Sequence, residues 1–328
     1  MDANVATASQ NTAARARSRG QTRLTLKQRF LTVSNLLFIV LLLIAFLPNA
    51  TGEDPQTQYL LAFATAVEAA SLIGCATASS VRLRNSTVDI VSVLFGVLIA
   101  WTLATCKYNV LPESIFPAPG VVLAQIIADA PKICSGIGSS IGIIAEGFVL
   151  GGACALVLGL LLGYNARSSA TAHKIVSFLA AIPPVVYIPY GIVLLPTFRS
   201  ASVMVIFLAT FWPVLTATLS GVSSVDQQAI DSARSLNVSR PTMLFKVLLP
   251  AALPLIFNGL NIGLTLSFIL LTSAEMIGGN SGMGYYVKYY SDFGDFTRIL
   301  AGIIVIGVVI TCLTLAFGKL QQYLLRWK

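Results

Sequence analysis

Residues 225–254 read VDQQAIDSARSLNVSRPTMLFKVLLPAALP, a charged and polar run set between very apolar segments. Asp226 is placed to cap a first short helix running to about Leu236. Asn237 then stands where a helix-ending residue turns left-handed, a role Gly fills best and Asn next best. Ser239 is placed to cap a second short helix with Pro241 in its first turn, where a missing N–H costs nothing. Leu244, Val247 and Leu248 recur at i, i+3 and i+4, so the second helix has one apolar face. Pro250 and Pro254 are expected to stop it. The pattern predicts a helix–turn–helix on a membrane surface, small and apolar enough to seat in a partner's groove.

Outward from that stretch the chain is a membrane protein by composition. Of its 328 residues 56% are hydrophobic and 10% charged, and its mean hydropathy is +0.82. A soluble domain carries about 25% charged residues. Apolar segments near the ~20 residues that cross a bilayer fall at about 30–48, 58–78, 87–106, 139–163, 175–196, 201–220, 254–277 and 299–319. The expected fold is therefore all-α and polytopic, with about eight transmembrane helices.

The net charge of +8 follows membrane topology rather than a nucleic-acid surface. With the N-terminus inside, the 21 Lys and Arg all fall on the cytoplasmic side except Lys107, Lys132, Arg199, Lys288 and Arg298. Positive residues concentrate in cytoplasmic loops, so both termini and the 222–253 loop are expected in the cytoplasm. Residues 1–29 hold Arg15, Arg17, Arg19, Arg23, Lys27 and Arg29 and are expected to be a disordered arm drawn to anionic lipid headgroups. Residues 321–328 form a cytoplasmic tail. The segment 58–78 contains Glu68 and is the least apolar of the spans.

The loop resembles the "EAA" loop of the membrane permeases of ATP-binding-cassette importers. That pattern is Glu-Ala-Ala, three residues, Gly, nine residues, Ile, one residue, Leu-Pro. Here the same spacing reads Asp231-Ser232-Ala233, Asn237, Val247 and Leu249-Pro250. Further motifs are similar to permeases for sulfonates, taurine, nitrate and thiamine precursors. They are FPAPGVVLAQI at 116–126, SSIGIIAEGFVLGGACALVLGLLLG at 139–163, Ile182-Pro183-Pro184 with Ile188-Pro189, and Phe211-Trp212-Pro213 with Gly221-Val222. After the loop come Ala274-Glu275-Met276, Gly279 and Gly282-Met283-Gly284. Ile143 stands where the family usually has Arg, and Glu146 near where it has a small residue.

The resemblance implies a type I importer permease with a six-helix core over 87–320 and two additional N-terminal helices over 30–80. It implies a homodimer served by separate ATP-binding subunits and an extracytoplasmic solute-binding protein. The coupling residues would be Asp231, Ser232, Ala233, Arg234, Asn237, Arg240, Val247, Leu249 and Pro250. Ser232 and Ala233 would be small so that the helix sits deep in the ATPase groove, and Asp231 would accept hydrogen bonds there. The cargo implied is a small organic or inorganic anion, or a thiamine pyrimidine precursor.

Other residues draw two readings each. Pro183, Pro184 and Pro189 remove backbone hydrogen bonds, which either shapes the pathway or kinks a helix for packing, and Trp212 and Pro213 belong with them. Glu146 and Glu275 are ionisable groups in or at the ends of spans, where charge costs several kcal/mol unless paired or wetted. Glu275 with Gly279, Gly282 and Gly284 implies a gating or structural role at the outer mouth. Glu146, facing the pathway unpaired, would disfavour an anion. An ion-coupled secondary transporter working through Glu68, Glu146 and Glu275 is the rival reading; it predicts internal repeats, and none is convincing. No catalytic constellation, cofactor motif or metal spacing is present: His173 is the one His, Cys75, Cys106, Cys134, Cys154 and Cys312 lie in or beside apolar segments, and no GxxxxGK[ST] loop occurs. ATP hydrolysis is thus expected on another chain.

Overall fold

A computed structural model of the chain describes residues 32–50, 55–78 and 81–326. The basic arm expected at 1–29 and the last two residues of the tail lie outside them. Among the described residues the regular structure is twelve helices and no strand. They are α1 Val33–Phe46, α2 Thr57–Thr77, α3 Val81–Lys107, α4 Pro119–Ala128, α5 Ala130–Gly163 and α6 Ala166–Ala180, followed by α7 Tyr187–Leu194, α8 Phe198–Ser223, α9 Gln227–Ser235, α10 Arg240–Gly278, α11 Met283–Asp292 and α12 Phe296–Leu324.

Six of these, α2, α3, α5, α8, α10 and α12, are long and apolar enough to cross a bilayer. A seventh candidate is broken: α6 and the Pro184–Leu194 segment are bent by 59°. The first of the eight expected spans is the short one. Its described helix, α1, has 14 residues, about 21 Å at 1.5 Å per residue, against a hydrocarbon core of about 30 Å.

The chain divides into two compact units, Met1–Ala128 and Asp129–Lys328. In the first, α1, α2 and α3 bury Leu41, Leu60, Ala64, Val91, Phe95 and Leu98 together. The connection after α3 is pinned to the end of α1: Lys107 Nζ donates to the Leu47 carbonyl and, at 2.7 Å, to Asn49 Oδ1, and Ala50 N–H reaches the Cys106 carbonyl at 3.0 Å. Trp101 Nε1 donates to the Pro117 carbonyl at 3.1 Å, which fixes the chain ahead of α4. Glu68 is buried on the same α2 face as Leu60 and Ala64, and its Oε2 has no hydrogen-bond partner among the described residues.

The second unit is built on α8. In lipid there is little hydrophobic drive to bring helices together, so close backbone approach and dispersion contacts decide. Gly147, Gly151, Gly159 and Gly163 recur at multiples of four along α5 and meet one helix, α8: a Cβ on Gly151 would sit 2.6 Å from the Phe207 carbonyl, and one on Gly159 2.6 Å from Thr218 Cβ. On the other side Gly259 of α10 lies against the Pro213 carbonyl, where a Cβ would come to 2.9 Å. Thr210 and Ser267 hydroxyls meet at 3.1 Å across the same seam. The best-buried span is therefore α8, while α12 is scarcely buried along its length.

Candidate functional site

The 222–253 stretch folds largely as its residues dictate. Asp226 Oδ1 accepts the Gln228 N–H at 3.0 Å and starts α9. Asn237 takes φ +52, and the N–H groups of Asn237 and Val238 close on the Arg234 and Ala233 carbonyls, which ends the helix. Ser239 is extended and opens α10, with Pro241 in its first turn, but its hydroxyl pairs with Thr242 Oγ1 at 2.8 Å rather than with the backbone.

Pro250 and Pro254 do not stop the second helix. It runs on to Gly278 as one element, because a wide π turn over Met243–Leu248 precedes Pro250. That turn shifts the carbonyl register and makes room for a ring that would otherwise collide with the preceding turn. The short helix of the loop is thus the first stretch of a 39-residue helix that reaches Gly278.

The loop's residues separate by direction. Ala233 turns inward, buried with Leu160, Val222, Met243, Leu248, Ala252 and Ile256. Its small size lets α9 pack closely on the chain's own core. Val247, Leu249 and Pro250 are half-buried along the same seam. Asp231, Ser232, Arg234, Asn237 and Arg240 are exposed. Asp231 Oδ1 accepts from Gln227 Nε2 at 3.0 Å and lies 3.4 Å from Arg234 NH1, so the acid and base expected to reach outward hold each other. Sequence reasoning missed the two most protruding apolar groups: Leu236 is 79% exposed and Phe245 61%. An apolar residue directly before a left-handed Asn turn was the available signal.

Pro183 and Pro184 stand at the bend between α6 and α7, and Pro189 is exposed on α7. Trp212 lines an apolar groove of about 900 Å³ between α6 and α8, with Phe211, Leu158 and Leu179. Pro213 lies inside α8, facing Gly259.

Glu275, Gly279, Gly282 and Gly284 do come together. Glu275 is 1% exposed. Its Oε1 accepts from Ser140 Oγ of α5 at 2.6 Å and its Oε2 from the Gly284 N–H at 2.7 Å. Ser140 Oγ in turn accepts the Met283 N–H at 3.0 Å. Gly282 has φ +112, and a Cβ there would overlap the carboxyl. The four residues form a clasp that folds α11 back onto α10 and α5.

Glu146 is half exposed and paired with Arg199 at the start of α8, whose Nε lies 3.2 Å from Oε2. A node that sequence reading missed lies at Asp129. Its Oδ2 accepts from Tyr286 OH at 2.9 Å and Arg298 Nε at 2.8 Å, tying the start of α5 to α11 and α12. Burial, and then this hydrogen bond, hold the Tyr286 phenol well above its ordinary pKa. Among the described residues no His, Cys, Asp or Glu cluster could hold a metal ion.

A family model described as "Binding-protein-dependent transport system inner membrane component" matches residues 155–328. This chain belongs to that family. The permease is 32% identical over 230 residues to a probable ABC transporter permease protein of Brucella melitensis, covering 70% of this chain and 92% of the relative. It is 29% identical over 251 residues to the taurine transport system permease protein of Escherichia coli, covering 74% and 90%. Among solved structures, an inward-facing form of the MetNI methionine ABC transporter superposes with a TM-score of 0.52 at 17% identity, covering 60% of this chain and 97% of the other; that likeness concerns the fold alone. The permease is thus a multi-pass inner-membrane subunit of the ABC-importer class. A secondary transporter is not favoured: of the three carboxyls it would use, Glu146 is ion-paired and Glu275 is bound into the clasp.

Proposed function

We propose that this permease, as a homodimer, forms the path by which a small solute enters the cell, with ATP hydrolysed on separate subunits held by the 226–250 loop. Both termini and the loop face the cytoplasm, and an extracytoplasmic binding protein delivers the cargo. The supporting observation is the loop itself: a rigid base, buried through Ala233, Met243 and Leu248, presents Leu236 and Phe245 to the outside. Two protruding apolar groups on a fixed frame suit a partner's groove, and Asp231, Arg234 and Arg240 beside them suit its rim. Because Phe245 stands on α10 itself, a push there is carried along one helix into the bilayer.

The cargo class we propose is a small anion or zwitterion. The Escherichia coli relative is named for taurine, and Arg199 compensates Glu146, a carboxylate that unpaired would repel an anion. Pro183, Pro184 and Pro189 give the broken helix its bend, and Trp212 with Pro213 shape the helix that faces it. The Glu275 clasp holds the outer end of α10 closed against α5.

The test is reconstitution in proteoliposomes with the cognate ATPase and binding protein. A single cysteine at Leu236 should cross-link to the ATPase subunit, and uptake should require ATP. Uptake by the permease alone, or labelling of that cysteine only from the outer side, would overturn the reading.

A further inference from the structure

We infer that the permease carries its own shallow binding site for an organic anion with an aromatic or similarly flat apolar body, between the first turns of α5 and one face of α11. The site deepens the importer reading and rests on it for the side of the membrane it faces.

The cleft measures about 430 Å³, within the range of small-molecule sites. Tyr285, Tyr286, Tyr289 and Tyr290 wall one side, and Lys132 and Ser135 stand opposite. The spacing i, i+1, i+4, i+5 brings the rings together in pairs along one side of α11, Tyr285–Tyr289 tilted with centroids at 5.9 Å and Tyr286–Tyr290 edge to face at 4.8 Å. Such a wall offers broad, flat, amphipathic contact at low entropic cost.

The wall is held before any ligand arrives. Tyr286 OH is fixed on Asp129 at 2.9 Å, and α11 is anchored at its first turn by the Gly284 N–H to Glu275 at 2.7 Å. Gly136, on the floor, approaches the Gly282 carbonyl closely enough that a Cβ would lie 3.2 Å away.

Charge selects the ligand. Among the described lining residues there is no carboxylate. Lys132 reaches toward Tyr290, with Nζ 3.3 Å from its hydroxyl and a side chain 65% exposed. Asp129 is shared: its Oδ1 lies 3.6 Å from Lys132 Nζ and its Oδ2 2.8 Å from Arg298 Nε, so one carboxylate serves two cations. Arg298 also stacks on Tyr290, 4.9 Å from the ring centroid, so a cation already occupies that ring's face. Asp129 and Asp295 meet the charge of Arg298, so the ionic group left facing the cleft is the Lys132 ammonium, which has N–H donors for an anion and nothing to offer a cation.

The experiment uses the full chain in lipid nanodiscs and radiolabelled benzenesulfonate, which stays anionic at any working pH, followed by equilibrium dialysis. Saturable binding is expected, with Lys132→Gln and Tyr289→Leu each weakening it about tenfold, and Lys288→Gln, outside the cleft, leaving it unchanged. Methanesulfonate and benzyltrimethylammonium should compete poorly. No saturable binding, full binding by both cleft variants, or stronger competition from the ammonium compound would overturn the site. Because neither ATP nor the partner proteins are present, a failure here leaves the importer reading standing, and a failed uptake assay leaves this result standing.

Discussion

Ser140 Oγ donates to Glu275 Oε1 at 2.6 Å and accepts the Met283 N–H at 3.0 Å, so one hydroxyl joins three helices. Neither partner is dispensable, because a buried donor or acceptor left without its mate bears its whole desolvation penalty. Ser140→Ala should lower stability by about 1–3 kcal/mol, read by thermal unfolding in detergent. Combined with Glu275→Gln, the loss should be less than the sum of the two, since both variants break the same bond.

Gly282 is the position that lets the clasp close. Gly282→Ala sets a side chain at φ +112 and into the Glu275 carboxyl. Strain of this kind costs about 1–3 kcal/mol, before the displaced carboxyl is counted. Protease sensitivity of the 279–284 connection should rise with the fall in melting temperature. A Gly282→Ala protein as stable as the parent would mean the carboxyl is not held where we place it.

The α5–α8 seam gives a matched pair of tests. Gly151→Ala forces a Cβ to within 2.6 Å of the Phe207 carbonyl, whereas Gly138 on the same helix has nothing within 4 Å. The first should destabilise by about 1–3 kcal/mol. The second should be neutral or stabilising by up to about 1 kcal/mol. Denaturation of the two variants side by side distinguishes steric fit from a general intolerance of larger side chains in α5.

Glu146 and Arg199 join α5 to α8 across 53 positions of sequence. Glu146→Arg and Arg199→Glu should each reduce the yield of folded protein, and the double exchange should recover it. Gel filtration of the three variants reads this directly, and no recovery in the double exchange would show that the pair is not formed in the membrane.

Loop variants separate coupling from folding. Leu236→Asp changes a side chain that is 79% exposed and should shift stability by no more than about 0.5 kcal/mol. It should nevertheless abolish stimulation of the partner ATPase. Ala233→Leu does the opposite: it overfills the permease's own core and should cost about 1–3 kcal/mol before any partner is added. Equal effects of the two on both readouts would count against a loop with an inward and an outward side.

The parts legible in the sequence were those written in local chemistry. Asp226, Asn237 and Pro241 specify a helix start, a left-handed stop and a second start from groups a few residues apart, and the structure uses all three that way. Legibility failed where a remote or wider context intervened. Pro250 read as a stop because a π turn ahead of a proline leaves no pattern in side-chain polarity. The burial of Ala233 carried no local signal, because one of the residues that cover it, Leu160, comes from α5, 73 positions earlier. Asp129, Tyr286 and Arg298 carried no motif, being separated by 157 and 169 positions.

By itself the sequence determined that this is a helical membrane protein, since hydropathy and turn residues act over distances shorter than a helix, and its motifs carried the likeness to importer permeases. Which carboxyls are paired, which loop residues face outward and where four tyrosines meet a lysine were decided by tertiary structure alone. Those facts depend on which helices lie side by side, and a bilayer enforces helices without saying which faces must meet.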